Sequence, residues 1–210
     1  LKAPEFLKQL IELEPDLMVV VAFRMLPKEV WSIPSLGTFN LHASLLPDYR
    51  GAAPINWSII NQEKHSGVTT FFINEEIDSG AILLQEKVDI EIHDTAGSLH
   101  DKLAKKGGEL ICNTIRGILK GTITPQKQEV KGSEKVAPKL NKENIFIDWD
   151  QPLDVIQAKI RGLSPYPGAK FNWIEDDKKS IIKILKAEMV EENHHFDSKK
   201  VIIKDHKILI

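Results

Sequence analysis

An α/β fold, with an open parallel sheet early in the chain and a small β-barrel at its end, follows from three features of the sequence. Leu17 to Phe23 is a continuous apolar run rich in valine, too short for a helix and not alternating, which is how a strand buried on both faces of a parallel sheet reads. Helical and strand-like stretches alternate between Pro4 and about Lys120. Beyond Asp150, one helical pattern is followed by four short strand-like stretches separated by polar turns. The 210 residues suit one large or two small domains, and 42% hydrophobic residues are ample for a buried core.

In chain order, Phe6, Leu7, Leu10 and Ile11 share one face of a helix that Pro4 and Glu5 open and Pro15-Asp16 closes. The buried strand follows, then a short helix over Pro27 to Trp31 and a strand over Gly37 to His42. After a proline- and glycine-rich loop, Ile55, Trp57, Ile59 and Ile60 mark a short helix, and Gly67 to Ile73 and Ala81 to Ile90 are strands. Asp94-Thr95 caps a long helix reaching about Lys120, with Leu99, Leu103, Leu110, Ile111, Ile115 and Ile118 as its core stripe. Gly107-Gly108 within it costs helix propensity and is expected to permit close packing.

Residues 123–143 are polar and lack periodicity, so they are expected to link a first domain, 1–122, to a smaller second one, 144–210. In the second, Val155, Ile156, Ile160 and Leu163 face a core. Pro165-Tyr166-Pro167-Gly168 then turns the chain into strands over Ala169 to Glu175, Ser180 to Val190, Val201 to Lys204 and Lys207 to Ile210.

A formal net charge of −2 speaks against a strongly basic nucleic-acid module, and no apolar run approaches the roughly 18 residues of a membrane span. Cys112 is the single cysteine; it is expected to be a small buried hydrophobe in a reducing compartment. His65, His93, His100 and His206 lack metal-ligand spacing, and His194-His195 lies in a polar stretch, so no metal is assigned.

The chemistry centres on Asn40 and His42. Two positions apart on a strand, their side chains emerge on one face, so an amide donor and a titratable imidazole share a pocket. Leu46-Pro47 and Tyr49-Arg50-Gly51 stop the strand just beyond, placing the pair at a C-terminal strand end, where open parallel sheets bind ligands. If the acidic loop Asn74 to Gly80 returns to that edge, Asp78 can orient His42 and favour its imidazolium form. Such a trio suits acyl transfer to an external amine or to water, with Asn40 donating to the developing oxyanion and His42 handling a proton. Ser44 is not in a nucleophile elbow and no glycine-rich phosphate fingerprint is present.

Asn40 to Pro47 and Tyr49 to Trp57, followed by Gly67-Val68-Thr69 and Ile77 to Gly80, closely resemble the 10-formyltetrahydrofolate-dependent formyltransferase family. Ala137 to Leu140, Ile147 to Trp149 and Ile160 to Ala169 resemble the branch whose acceptor is the α-amino group of methionyl-initiator tRNA. That resemblance implies a Rossmann-like first domain, an OB-like barrel that helps hold tRNA, and Asn40, His42 and Asp78 as catalytic trio. It further implies that 10-formyltetrahydrofolate, as cosubstrate, lies against Arg24, Met25 and Leu26, against Ser44, Leu45, Leu46 and Pro47, and against the loop carrying Ile73, Ile77 and Gly80. Leu46-Pro47 is expected to be cis, and the protein to be cytoplasmic without a stable protein partner. An amino sugar as acceptor, hydrolysis of the formyl folate, and a non-catalytic binding fragment are the alternatives. Since the family's first strands have no counterpart before Leu1, the chain is expected to be cut and its sheet to expose an edge.

Overall fold

The structure, a computed structural model, describes residues 1–175, 178–189, 202–204 and 207–209. Helix α1 (Pro4–Glu12) begins with proline in its first turn, where a missing N–H is harmless, and Glu5 beside it favours the positive helix end. Strand β1 (Met18–Val21) runs parallel to β2 (Thr38–His42) after a crossover containing the short helix α2 (Lys28–Trp31). The pair β3 (Arg50–Gly51) and helix α3 (Pro54–Ile60) follow, then β4 (His65–Phe72) and β5 (Ile82–Asp89). The main sheet has the order β1-β2-β4-β5.

Within the main sheet only the β1–β2 pair is parallel; β2–β4 and β4–β5 are antiparallel, so the expected parallel sheet is mixed. The reason is reach. The seven residues of α3 span roughly 10 Å at 1.5 Å per residue, too short to carry the chain back along β2, so β4 starts near the end where β2 stopped. No helix at all separates β4 from β5. Nor is β1 buried on both faces: it forms the sheet's edge here, with Val19 38% and Val21 51% exposed, and α1 buries none of its own residues.

Helix α4 (Ala96–Leu119) covers one face of the sheet. Thr95 caps it reciprocally: its hydroxyl accepts from the Ser98 N–H, and the Ser98 hydroxyl accepts from the Thr95 N–H. Leu99, Leu103 and Leu110 pack with Ile59 and Val68 into the first core. Further along, the buried stripe runs through Gly107, Thr114 and Gly117 rather than the expected isoleucines. Gly107 does permit close packing, since a Cβ there would stand 2.6 Å from Leu41 Cδ2, whereas Gly108 faces open space. Cys112 is exposed, contrary to expectation, because it sits off the stripe on the solvent side of the helix.

The segment expected to be a linker is laid onto the first domain. Gln126 bridges Ile82, and β6 (Val136–Ala137) pairs in parallel with β3. Helix α5 (Leu153–Leu163) buries Ile156, Ile160 and Leu163 against Ile145, Ile147 and Ala169, a second core. Strand β7 (Ala169–Glu175) pairs antiparallel with β8 (Lys178–Ile184), and β9 (Ile202–Lys204) with β10 (Lys207–Leu209). Among the described residues these are two separate two-stranded ladders. The polar stretch with His194-His195, the position of His206, and the strand residues Val190, Val201 and Ile210 lie outside the described residues. The two cores meet where α3 packs on α5, the Asn56 Nδ2 donating to the Gly162 carbonyl at 2.7 Å.

Candidate functional site

Strand β2 does put Asn40 and His42 on one face, and that face looks into a cleft of about 690 Å³. Its walls come from the end of β1 and residues 22–26, the turn into α3, the loop after β4, and one side of α4. The volume lies in the range of small-molecule sites.

His42 is 6% exposed and is held on two sides. Its Nε2 lies 2.8 Å from the carbonyl of Tyr49. A carbonyl only accepts, so Nε2 carries the proton and Nδ1 is the nitrogen left for chemistry. Nδ1 faces Asp78 Oδ2 at 3.7 Å, an ion-pair distance longer than a direct hydrogen bond, and the Phe71 ring meets the imidazole edge to face. The Asp78 loop thus returns to the strand end as its sequence suggested. The Asp78 carboxylate, itself only 14% exposed, accepts the Gly51 N–H at 3.0 Å.

Asn40 carries the third feature. Its Oδ1 is buried and has no hydrogen-bond partner. A buried amide oxygen left unpaired costs about 1–3 kcal/mol, and a ligand N–H or O–H in the cleft would satisfy it.

Gly51 is where the backbone must be glycine: φ is +122°, and a Cβ would stand 2.4 Å from the Ala137 carbonyl oxygen. This lets the strap strand β6 close over β3 and leaves the Gly51 N–H aimed at Asp78. Behind the strand, the buried Tyr49 hydroxyl donates to Glu63 Oε1 at 2.5 Å, and burial together with that carboxylate pushes the phenol well above its ordinary range. The Tyr49 side chain is thereby anchored while its carbonyl orients His42.

Among the other expected site residues, Arg24, Met25, Leu26, Ile73 and Ile77 line the cleft. Ser44, Leu45, Leu46, Pro47 and Gly80 do not. After His42 the chain turns off the cleft face: Ser44 and Leu45 border a separate cavity of about 140 Å³ with Glu63 and Lys135, and Leu46 is 3% exposed with its N–H on Thr69 Oγ1. The Leu46-Pro47 bond is cis, as expected. Gly80 is pressed against the Phe72 carbonyl, with no room for a side chain. These five shape the loops around the cleft.

The sequence reading did not single out Phe71, the Gly51 N–H, or Gln128, whose side chain reaches both Arg50 and the Asp78 loop. Arg50-Gly51 within the motif was the available signal for Gly51; Gln128 carried none. Lys28 Nζ of α2 meets Glu75 Oε1 of the loop after β4 at 2.7 Å, and each partner holds the other in its charged form. Among the described residues no group of His, Cys, Asp and Glu converges to hold a metal ion, and no helix is long and apolar enough to cross a membrane.

The end of β2 presents an amide and an imidazole to a cleft that the Asp78 loop also borders, and the chain belongs to the formyl transferase family. Residues 1–115 match the formyl transferase family model and residues 139–210 that of the formyl transferase C-terminal domain. It is 50% identical over 202 residues to the methionyl-tRNA formyltransferase of Flavobacterium johnsoniae, covering 96% of this chain and 64% of that one. It is 54% identical over 179 residues to the methionyl-tRNA formyltransferase of Azobacteroides pseudotrichonymphae, covering 83% and 54%. The chain therefore spans less than two thirds of the length of these relatives. Among solved structures, a sugar N-formyltransferase from a Shewanella species superposes with a TM-score of 0.72 at 25% identity, covering 90% of this chain and 76% of that one.

Proposed function

We propose that the protein transfers a formyl group from 10-formyltetrahydrofolate to the α-amino group of methionyl-initiator tRNA, with Asn40, His42 and Asp78 as its catalytic residues. The observation that carries this is the convergence of the Asn40 side chain, the Nδ1 of His42 and the Asp78 carboxylate on one cleft. The choice of acceptor is supported by the identity to relatives named for methionyl-tRNA, which exceeds that to the sugar N-formyltransferase.

In this reading the acceptor amine attacks the formyl carbon and a tetrahedral oxyanion forms. The Asn40 amide donates to that oxygen, and His42, with Asp78 beside Nδ1, takes the proton that the amine loses. The bond from carbon to the folate nitrogen then breaks, that nitrogen receives a proton, and the products are a formamide and tetrahydrofolate. No covalent enzyme intermediate is required, which accords with a site lacking a nucleophilic serine or cysteine. The apolar wall of Met25, Leu26, Ile73 and Ile77 suits a flat pterin ring. Residues 1–122 would form the catalytic domain, 123–143 the connection and 144–210 a tRNA-facing domain. Residues 139–210 carry 13 Lys and Arg against 12 Asp and Glu, so any phosphate contact there depends on a local patch rather than on net charge.

The test is an assay of the full-length protein with formyl-labelled folate and, in separate reactions, charged initiator tRNA, an amino sugar nucleotide, or water alone. Label in formylmethionyl-tRNA is the expected result. Label only in the amino sugar moves the acceptor, and label only in formate removes the transferase reading.

A further inference from the structure

Gln128 lies between the two regions that match the family models, in a stretch without periodicity, yet it is 5% exposed. Its amide is fully used. Nε2 donates to the carbonyls of Asp78 at 2.9 Å and Gly80 at 2.8 Å, while Oε1 accepts from Arg50 Nε at 3.1 Å and Arg50 Nη2 at 2.5 Å. One planar group therefore fastens the Asp78 loop to strand β3.

The consequence reaches the site through the next residue. Gly51 follows Arg50 and donates its N–H to Asp78 Oδ2 at 3.0 Å, so the same strand is tied to the loop twice, once at the backbone and once at the carboxylate. Asp78 is held at φ +51°, in the left-handed region that most residues with a Cβ avoid and that aspartate enters in turns. The Gln128 bonds to the carbonyls of Asp78 and Gly80 are part of that constraint. The segment bearing Gln128 is anchored on either side, by the Gln126–Ile82 bridge and by the pairing of β6 with β3. Burying a primary amide is unfavourable unless its donors and acceptor are satisfied, and here every partner belongs to an element that sets the distance from Asp78 to His42.

The geometry points to Gln128 as a positioning residue for formyl transfer: from outside the cleft it fixes the Asp78 carboxylate in register with His42 Nδ1. The inference rests on the reaction proposed above for Asn40, His42 and Asp78.

Two substitutions in the full-length protein test it. Gln128→Leu keeps most of the volume and removes all four bonds. Gln128→Glu keeps an acceptor for Arg50 and removes the two donors toward the loop. Both are expected to lower kcat by about 10- to 100-fold, as a displaced catalytic group does, with both KM values nearly unchanged. In both, the His42 ring resonances, read by NMR on protein labelled at histidine, are expected to move toward those of Asp78→Asn. Where the leucine variant folds poorly, the glutamate variant decides. Wild-type kcat with unmoved His42 resonances overturns the proposal, as does a loss of activity that merely tracks the folded fraction. Asp78→Asn separates this claim from the one beneath it. Wild-type turnover in that variant removes Asp78 from the reaction, whereas an inactive Asp78→Asn beside fully active Gln128 variants removes only the positioning role.

Discussion

At the scale of single residues, Asn40 and His42 show how far a two-residue spacing reaches. Period-two alternation places both on one face of β2, and the cleft lies on that face. What the spacing leaves open is the state of each group. The Tyr49 carbonyl selects the His42 tautomer, and the burial of Asn40 Oδ1 leaves an acceptor unpaired. Asn40→Ala is expected to lower turnover by about 10²- to 10³-fold through loss of one oxyanion donor, with folate affinity, measured by equilibrium titration, largely retained. Turnover at the wild-type level would take Asn40 out of the reaction. For His42→Ala the expected loss is at least ~10²-fold, read as kcat per folded molecule after thermal unfolding has set the folded fraction. If stability falls and kcat per folded molecule does not, the imidazole serves only the core.

At the scale of elements, the start of α4 is fixed by side-chain bonds within one turn. Besides the Thr95–Ser98 box, Asp94 is 5% exposed and accepts from the Glu91 N–H at 2.7 Å, Ser98 Oγ at 2.7 Å and Lys102 Nζ at 2.8 Å. Burial opposes the charge, but Lys102, the Glu91 N–H and Ser98 together outweigh it and hold the carboxyl below its ordinary 3.8. A native pKa lower than the unfolded one gives stability that is present in full above the ordinary aspartate range and lost as pH falls through the native value. Asp94→Asn is thus expected to cost about 1–3 kcal/mol in urea unfolding at pH 7, a gap that narrows below pH 3.8 as wild type itself becomes protonated. An equal gap at both pH values would refute the charged-form argument. The capping sequence Asp94-Thr95 was visible beforehand because capping is settled within one helical turn.

At the scale of the whole molecule, the two cores are joined by polar bonds around α3, α4 and α5. Asn56 donates to the Gly162 carbonyl, Trp57 Nε1 to the Pro138 carbonyl at 2.7 Å, and Arg161 Nη1 to the Asp94 carbonyl at 2.8 Å. Asn56→Ala strands the Gly162 carbonyl in that seam and is expected to cost about 1–3 kcal/mol, seen as a lower urea midpoint and as faster hydrogen exchange in α5. An unchanged midpoint and unchanged exchange would show that the seam draws nothing from this bond.

The sequence by itself determined what local rules control: the strand bearing Asn40 and His42, the capped helix α4, the turn chemistry around Leu46-Pro47, and the motifs that resemble formyltransferases. Periodicity, caps and turns act over a few residues, so they can be read in order along the chain. Only the tertiary structure decided the direction of β4 and β5, the exposure of Cys112, the departure of Ser44 to Pro47 from the cleft, and the clamp at Gln128. The last of these joins residues 50 apart in sequence, as the Gly51–Asp78 bond joins residues 27 apart. Such contacts depend on loop closure and on which faces finally pack together, and neither leaves a periodic trace in the chain.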